Sequence, residues 1–301
     1  MWELSGAACK LFSLFAIAGL TGGSYSLWLV DKLGFAKQQA LLTYLLASAL
    51  IGLLASPLFF LVQVGAINQS GIVGMFDRTM ITILAQSNLG AATGWRVAAF
   101  SAALPAWYLL QRVHKNSTNL PTRSRSGFAF LLAAIFCASV SFAISGHTST
   151  LALSSRVIIV LHVLAAFLWV GSLYPLLQVS KNPDVKRVQR LMRVFGSSAL
   201  LIVAALVASG IFLLTRLLHS FAELLTTSYG LTLLLKLAGV SLLLALAAAN
   251  KLVLVPGLLS GSAIARLRTA IRMELVAAFF ILLMTVYLTT AVGPLANPGK
   301  L

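Results

Sequence analysis

Eight long apolar runs, each of about 20 residues or more, constrain what this 301-residue chain can fold into. Polar or Gly- and Pro-containing segments separate the runs, which lie near residues 10–30, 41–66, 91–112, 127–147, 156–178, 192–215, 229–254 and 270–292. A helix of about 20 apolar residues crosses the hydrocarbon core of a bilayer. Because only 9% of the residues are charged, against about 25% in soluble domains, a water-soluble globular fold is excluded. We predict an all-α, polytopic membrane protein with eight transmembrane helices.

Two of the runs differ from the rest. The third run, 91–112, is the least apolar because it contains Arg96, Ser101 and Pro105. The first run is too long for a secretory signal peptide and lacks a short apolar core followed by a small-residue cleavage site. We therefore expect the first run to be retained as a transmembrane helix.

The basic residues indicate which ends of the spans face the cytoplasm. The chain has 22 Lys and Arg against 6 Asp and Glu, which gives a net charge of +16. Of the 22 basic residues, 15 fall in or beside the loops after the first, third, fifth and seventh spans. Basic residues concentrate in cytoplasmic loops, so both termini are predicted to face outward. The charge then sets the orientation, and no nucleic-acid partner is predicted.

The two halves of the chain share a motif. A Leu, a Ser or Thr, a Gly and a basic residue recur 140 residues apart in Leu84-x-x-Ser87-x-x-Gly90-x5-Arg96 and Leu224-x-x-Thr227-x-x-Gly230-x5-Lys236. Weaker echoes, which arise easily by chance, pair Ala55-Ser56-Pro57-Leu58-Phe59 with Ala208-Ser209-Gly210-Ile211-Phe212, and Gly23-Ser24 with Gly171-Ser172. Four spans in each half predict two parallel four-helix repeats, related by an axis along the membrane normal.

The repeat also predicts how the chain is divided. Residues 1–126 carry spans 1 to 3 of the first repeat, and 127–301 carry spans 4 to 8, of which span 4 closes the first repeat. The outward segments 75–88 and 216–228 are predicted to be paired amphipathic helices at the membrane interface.

Two histidines are the leading candidate metal ligands. His147 ends span 4, and His162 lies about two turns into span 5, so the topology brings both to the outer ends of adjacent antiparallel helices. An ionisable side chain inside a span indicates a functional site, and imidazole binds copper, zinc, iron and nickel. The alternative is that each ring only bonds a backbone carbonyl or faces water. His114 and His219 lie outside the spans and are predicted to be solvated.

Sulfur ligands would favour Cu(I) over the other metals. They are Met75 and Met80 in the first outer segment, Met284 in span 8, Cys9 near the outer end of span 1, and Cys137 about three turns below His147. Each alone is more typical of packing, whereas together they outline an inward path for the ion.

Two cations occupy equivalent positions of the repeat. Arg96 and Lys236 each lie about two turns inside a span, where they either extend to the lipid headgroups or belong to the metal path. A cation there repels an entering metal ion unless it is paired, and Asp77 and Glu223 are the candidate partners. The chain contains no Walker phosphate loop, no HExxH motif and no nucleophile–base–acid set, so neither an enzyme nor an ATP-driven pump is predicted.

Several separated elements, in this order, resemble the copper resistance D (CopD) family of bacterial inner-membrane proteins. They are Ser145-Gly146-His147, His162-x-x-Ala165-Ala166-x-x-Trp169-Val170-Gly171, Leu225-Thr226-Thr227-Ser228-Tyr229-Gly230 with Leu233-Leu234-Leu235-Lys236, and Asn250-Lys251-Leu252-x-Leu254-x-Pro256. The likeness is strongest over about 140–292 and weaker in the first half.

The resemblance implies copper transport and copper homeostasis at the inner membrane, with a periplasmic copper-binding protein of the CopC type as partner. It implies His147 and His162 as copper ligands, and its motif residues Gly146, Trp169, Gly171 and Lys236 would support them.

The chain departs from the family pattern in its first half. Leu14 stands where family members can carry a first-span histidine, and no fused periplasmic copper-binding domain is expected before span 1. Two other functions remain open at this point. Two histidines on neighbouring helices can also clamp the iron of a b-type haem, and a copper-binding sensor or scaffold needs no transport.

Overall fold

The computed structural model describes residues 2–35, 39–116, 121–145, 152–217, 222–259 and 263–292. Within these ranges every regular element is helical, which confirms the all-α prediction. The helices are α1 Trp2–Lys32, α2 Gln39–Asn68, α3 Arg78–Ala85, α4 Asn88–Asn116, α5 Pro121–Ala143, α6 Leu153–Val179, α7 Val185–Leu217, α8 Glu223–Thr226, α9 Ser228–Ala249 and α10 Ala263–Tyr287. Turns of 3-10 helix cover Ile72–Phe76 and Pro256–Leu259, and π-helix covers Asn250–Leu254 and Leu288–Val292.

Seven helices in the described part of the chain are long and apolar enough to cross a bilayer, so this is a multi-pass membrane protein. Helix α4 has 29 residues and is therefore long enough to cross a bilayer, but it is less apolar than these seven helices. Its lower apolarity is expected because it contains Arg96 and Ser101. It packs between α2 and α5 in the bundle. An eighth crossing at α4, and with it the outward position of both termini, stays a prediction.

Helices α1 and α6 approach each other closely at glycines. A Cβ atom on Gly171 of α6 would overlap the backbone carbonyl of Ala18, and one on Gly22 would overlap the backbone of α6. The hydroxyl of Ser172 donates to the Gly22 carbonyl at 3.2 Å, and Tyr44 of α2 donates to the Gly171 carbonyl at the same distance. Small residues allow such contacts between membrane helices. The Gly-Ser pairs noted in the sequence therefore lie at the centre of the bundle.

The repeated motif adopts the same local structure in both halves. Its Ser or Thr caps the following helix, with bonds from the Leu89 N–H to Ser87 Oγ at 3.2 Å and from the Gly230 N–H to Thr227 Oγ1 at 2.9 Å. Its glycine packs against the backbone of the short helix before it, Gly90 on Ala85 and Gly230 on Glu223. Each copy thus forms a tight, capped entry into a long helix. The repeat of whole four-helix halves stays a prediction.

The interfacial helices are shorter than the sequence predicts. The first copy divides into the 3-10 turn Ile72–Phe76 and the eight-residue helix α3, which Asp77 caps by accepting from the Met80 N–H at 2.8 Å. In the second copy α7 continues to Leu217, and α8 has only four residues. The prediction for 216–228 was wrong at its first two residues, Arg216 and Leu217, which belong to the last turn of α7.

Basic side chains tie the helix ends together at the side of the bundle that the charge pattern predicts to be cytoplasmic. Arg187 donates to the Gly34 carbonyl at 3.2 Å, and Arg268 donates to the Ser180 carbonyl at 2.8 Å. These bonds place the loops after the first and fifth spans at the same end of the bundle, as an alternating topology requires.

Candidate functional site

His162 lies on the third turn of α6, half-buried and facing α7. Its Nδ1 atom lies 3.0 Å from the hydroxyl oxygen of Ser209. That hydroxyl donates to the Ala205 carbonyl at 2.5 Å and also lies 3.1 Å from the Leu206 carbonyl. Because a hydroxyl has a single proton, this geometry favours the tautomer in which His162 Nδ1 carries the imidazole proton and donates to Ser209 Oγ. In the neutral ring the lone pair is then on Nε2.

This arrangement is the usual preparation of a metal-binding histidine. Such a ring commonly donates its other N–H to an oxygen that fixes its tautomer and orientation. The next residue, Gly210, leaves room for the ring, since a Cβ atom there would lie 3.3 Å from His162 Cε1. Sequence reasoning missed Ser209 as a site residue. The signal was a hydroxyl beside a glycine inside an otherwise apolar span.

Lys236 of α9 approaches the same imidazole. The two side chains are close enough for their charges to interact. Three helices therefore contribute to this position: α6 with the ring, α7 with the orienting hydroxyl and α9 with a positive charge.

Arg96 is buried among residues of α5 rather than extended to the headgroups. Its side chain is 8% exposed, and its Nε and Nη2 atoms donate to Ser141 Oγ and Ser145 Oγ, both at 3.4 Å. The guanidinium carbon also lies 5.5 Å from the ring centroid of Phe142. A guanidinium has only donors, so it is not a metal ligand. It holds the end of α5 through Ser145, which is two residues before His147.

The first-half carboxylate does not pair with this cation. Among the described residues the ion pair found joins Arg187 to Asp184, and Asp77 instead caps α3. The proposed pairing of Arg96 with Asp77 was therefore wrong. The physical reason is that the start of α3 supplies free N–H groups to the carboxylate directly beside it.

The end of α5 lies against the middle of α6. The rings of Phe142 on α5 and Phe167 on α6 are 5.6 Å apart, and Phe167 follows His162 by five residues. His147 and Gly146 lie outside the described residues. A pair of His147 with His162 stays a prediction, which the neighbouring positions of α5 and α6 allow.

Two of the sulfur candidates lie together. Cys9 and Met75 are both buried in one cluster with Val62, at the predicted outer end of the bundle. The others, Met80, Met284 and Cys137, are half-buried on α3, α10 and α5. In the part of the chain that is described, no group of three or more His, Cys, Asp or Glu side chains is placed to hold a metal ion.

Trp169 and Gly171 lie deeper in α6 than His162, by about 10 and 14 Å along the helix axis. Trp169 is buried and lines a cavity together with Asn250 and Glu274. Gly171 forms the contact with α1 described above. Helix packing therefore explains why a flat aromatic side chain stands at position 169 and a glycine at position 171.

The corresponding place in the first half has no imidazole. Leu14 is buried there, and the neighbouring Ser13 hydroxyl lies 3.3 Å from that of Ser56 on α2. Ser56 is the residue that echoes Ser209 in the sequence. A serine–serine contact thus occupies the helix pair α1–α2, where the pair α6–α7 has a histidine–serine contact.

The fold and the polar site define a helical membrane protein with a histidine–serine contact between two helices of its second half. Comparison with family models gives two matches: Copper resistance protein D-like, N-terminal domain, over residues 1–155, and Copper resistance protein D, over residues 189–288. The first match alone covers more than half of the chain. The protein belongs to the copper resistance protein D family, and the resemblance seen in the sequence is confirmed. No curated protein and no solved structure matches the chain.

Proposed function

We propose that this protein moves copper across the bacterial inner membrane, and that it captures the ion from the periplasmic side with His162 and His147. One observation carries the proposal: Ser209 Oγ lies 3.0 Å from His162 Nδ1 while it donates to the Ala205 carbonyl, which favours a hydrogen bond from Nδ1 and leaves the Nε2 lone pair for a metal. Membership of the copper resistance family supports copper as the ion.

The positive charge of Lys236 near His162 is more consistent with copper transport than with copper storage. An ion that is to be conducted must bind strongly enough to enter the site and weakly enough to leave it. Lys236 repels a cation at His162, which lowers its affinity and favours its release. Cys9 and Met75 offer a second position for the ion, and their soft sulfur atoms favour Cu(I).

A partner on the periplasmic side completes the proposal. If both termini face outward, His162 lies near the periplasmic surface, where a copper-binding protein of the CopC type would deliver the ion. The basic loops that carry Arg187 and Arg268 would then be cytoplasmic.

The test measures copper uptake by cells and copper bound to the purified protein for His162→Ala, His147→Ala and the double variant. We expect both quantities to fall. His114→Ala, at the far end of α4, is the matched control and should retain the parent values. Unchanged uptake and binding in the double variant, at equal expression, would contradict the proposal.

Two further measurements separate the other functions. A sensor or scaffold would bind copper in detergent but give no copper flux in proteoliposomes. A b-type haem protein would show a Soret band that shifts on reduction. We expect copper flux and no such band.

A further inference from the structure

A cavity of 330 Å³ lies inside the second half of the molecule, between α6, α7, α9 and α10. Most of its wall is apolar, with Trp169, Met192 and Leu244 among the lining residues. Its polar lining residues include Asn250, Lys251 and Glu274. Along α9, Asn250 is about 21 Å from Lys236, so the end of the cavity with Asn250 and Glu274 lies well away from Lys236, towards the predicted cytoplasmic side.

Glu274 is buried at the wall of this cavity, with 4% of its surface exposed. Asn250 Nδ2 donates to its Oε1 atom at 2.5 Å, and no ion pair of Glu274 is found among the described residues. An ionised carboxylate without a cationic partner is costly in a low-dielectric interior. The charge state of the Glu274 side chain therefore depends on the charges and hydrogen bonds that its neighbours supply.

The positive groups of the surrounding helices are engaged elsewhere. Lys251 is the other charged residue lining the cavity in the described part of the chain, and its ammonium donates to the Gly196 carbonyl at 2.9 Å. On α10 itself Arg268 binds the Ser180 carbonyl, and Arg272 is exposed. The packed helices add no buried Asp, Glu, Lys, Arg or His at this level. There is none on α1 between residues 10 and 31, on α6 between 162 and 181, or on α9 between 236 and 251, and Arg190 and Arg193 of α7 are exposed.

The side-chain oxygen of Asn250 indicates that a hydrogen-bond donor is missing at this site. Its Oδ1 atom is buried and has no hydrogen-bond donor within the described residues. A carboxylate offers only acceptors, whereas a carboxylic acid offers one O–H donor. A proton on Oε2 of Glu274 would donate to Asn250 Oδ1, while Asn250 Nδ2 continues to donate to Oε1. Acid and amide would then form a ring with two hydrogen bonds and no orphaned atom.

The backbone explains why Asn250 is presented at this point. Pro256 has no N–H to bond the Leu252 carbonyl, which favours a departure from the α-helical pattern in the residues before it. The chain widens into the π-turn Asn250–Leu254, in which the Val255 N–H donates to the Asn250 carbonyl at 2.8 Å. Single π-turns within helices are frequent at functional sites.

We infer that Glu274 and Asn250 form a proton-binding site inside the membrane. With the proton bound, the acid–amide ring is closed and neutral. When the proton leaves, Glu274 Oε2 and Asn250 Oδ1 are two facing acceptors that repel each other, and the pair opens towards the cavity. The site concerns this chain alone and does not depend on copper.

Infrared spectroscopy of the purified protein in lipid nanodiscs tests the inference through the C=O stretch of protonated carboxyl groups. At neutral pH we expect a band for one protonated buried carboxyl per chain, absent from Glu274→Gln, in which the side-chain amide replaces both hydrogen bonds. Glu3→Gln, at an exposed carboxylate, is the matched control and should leave the band unchanged. Raising the pH should remove the band from the parent protein.

Asn250→Leu provides a second readout that does not need the Glu274 variant to fold. Loss of both hydrogen bonds should move the carboxyl band to higher frequency. A parent protein without a Glu274-dependent band at neutral pH would overturn the inference, because Glu274 would then be ionised. An unshifted band in Asn250→Leu would overturn it as well, since Asn250 would not be the partner of the proton.

Discussion

Ser209→Ala tests the chemical core of the site, because it removes the atom that orients His162 and leaves the imidazole in place. The hydroxyl accepts from Nδ1 at 3.0 Å from the neighbouring helix. Without it the ring loses its fixed tautomer, so the proton can move to Nε2, the atom proposed to bind copper. The side chain that remains is one oxygen smaller, and α7 keeps its backbone hydrogen bonds.

The expected loss follows from this single bond. A hydrogen bond of this kind contributes about 0.5–1.5 kcal/mol, which corresponds to a factor of roughly 2–13 in affinity. Loss of a group that orients a metal ligand typically costs about 10- to 100-fold in metal affinity. Both figures include about 10-fold, which is the weakening of copper binding that we expect for Ser209→Ala.

The assay is a competition titration of the purified protein against a chromophoric Cu(I) chelator. Ser56→Ala is the matched control, because it removes a buried serine of α2 whose partner is Ser13 and should leave the affinity unchanged. Ser209→Thr keeps a hydroxyl and should retain most of the affinity. In the His162→Ala background, Ser209→Ala should add nothing.

Two results would refute the reasoning. If Ser209→Ala binds copper as tightly as the parent, the hydroxyl does not prepare His162 for a metal. If Ser56→Ala weakens binding as much as Ser209→Ala does, the loss reflects general loosening of the bundle and not the orientation of one ring.

The packing, the anchor of α5 and the orientation yield three further predictions. Gly171→Ala should lower the melting temperature, because the new methyl group overlaps a carbonyl of α1 and overpacking costs about 1–3 kcal/mol. Gly94→Ala is the control, since Gly94 is a helical glycine with open space around it, and this variant should raise the melting temperature slightly. Arg96→Ala should reduce copper uptake at equal expression by releasing the end of α5, with Arg96→Lys intermediate, and full uptake by Arg96→Ala would argue against the anchor. The orientation can be tested by cysteine labelling after both native cysteines are replaced by serine. A cysteine at the exposed position Leu153 should react with an impermeant reagent from the periplasmic side, and one at Lys186 should not. The reverse pattern of labelling would show that the proposed topology is inverted.

The helices were predictable because the signal for a membrane span is local. Each of the eight apolar runs overlaps one long helix, and run length and apolarity alone are sufficient for that. The ends were less predictable. Helix α1 begins at Trp2, well before the predicted residue 10, because its first turns pack on α2, where the Trp2 ring lies against Gly65.

The contacts between helices were not predictable, because they depend on how each helix is rotated. Ser209 meets His162 across 47 residues of sequence, and no periodicity within either span indicates that pairing. The same holds for Asn250 and Glu274, which are 24 residues apart. Arg96 was expected either to extend to the headgroups or to belong to the metal path, whereas the hydroxyls of Ser141 and Ser145 give it polar partners inside the bundle.

The polar contacts of the second half differ from those of the first. The contact that joins His162 to Ser209 in the second half is a contact between two serines in the first, and the cavity with Glu274 also lies in the second half. The first half contributes α1, whose glycines allow α6 to approach, and Arg96, which holds the end of α5. Substitutions in the Ser13–Ser56 contact should therefore change stability without changing copper affinity, and substitutions around His162 should do the reverse. Arg96 is the exception, since it lies in the first half but acts on the chain segment that leads to His147.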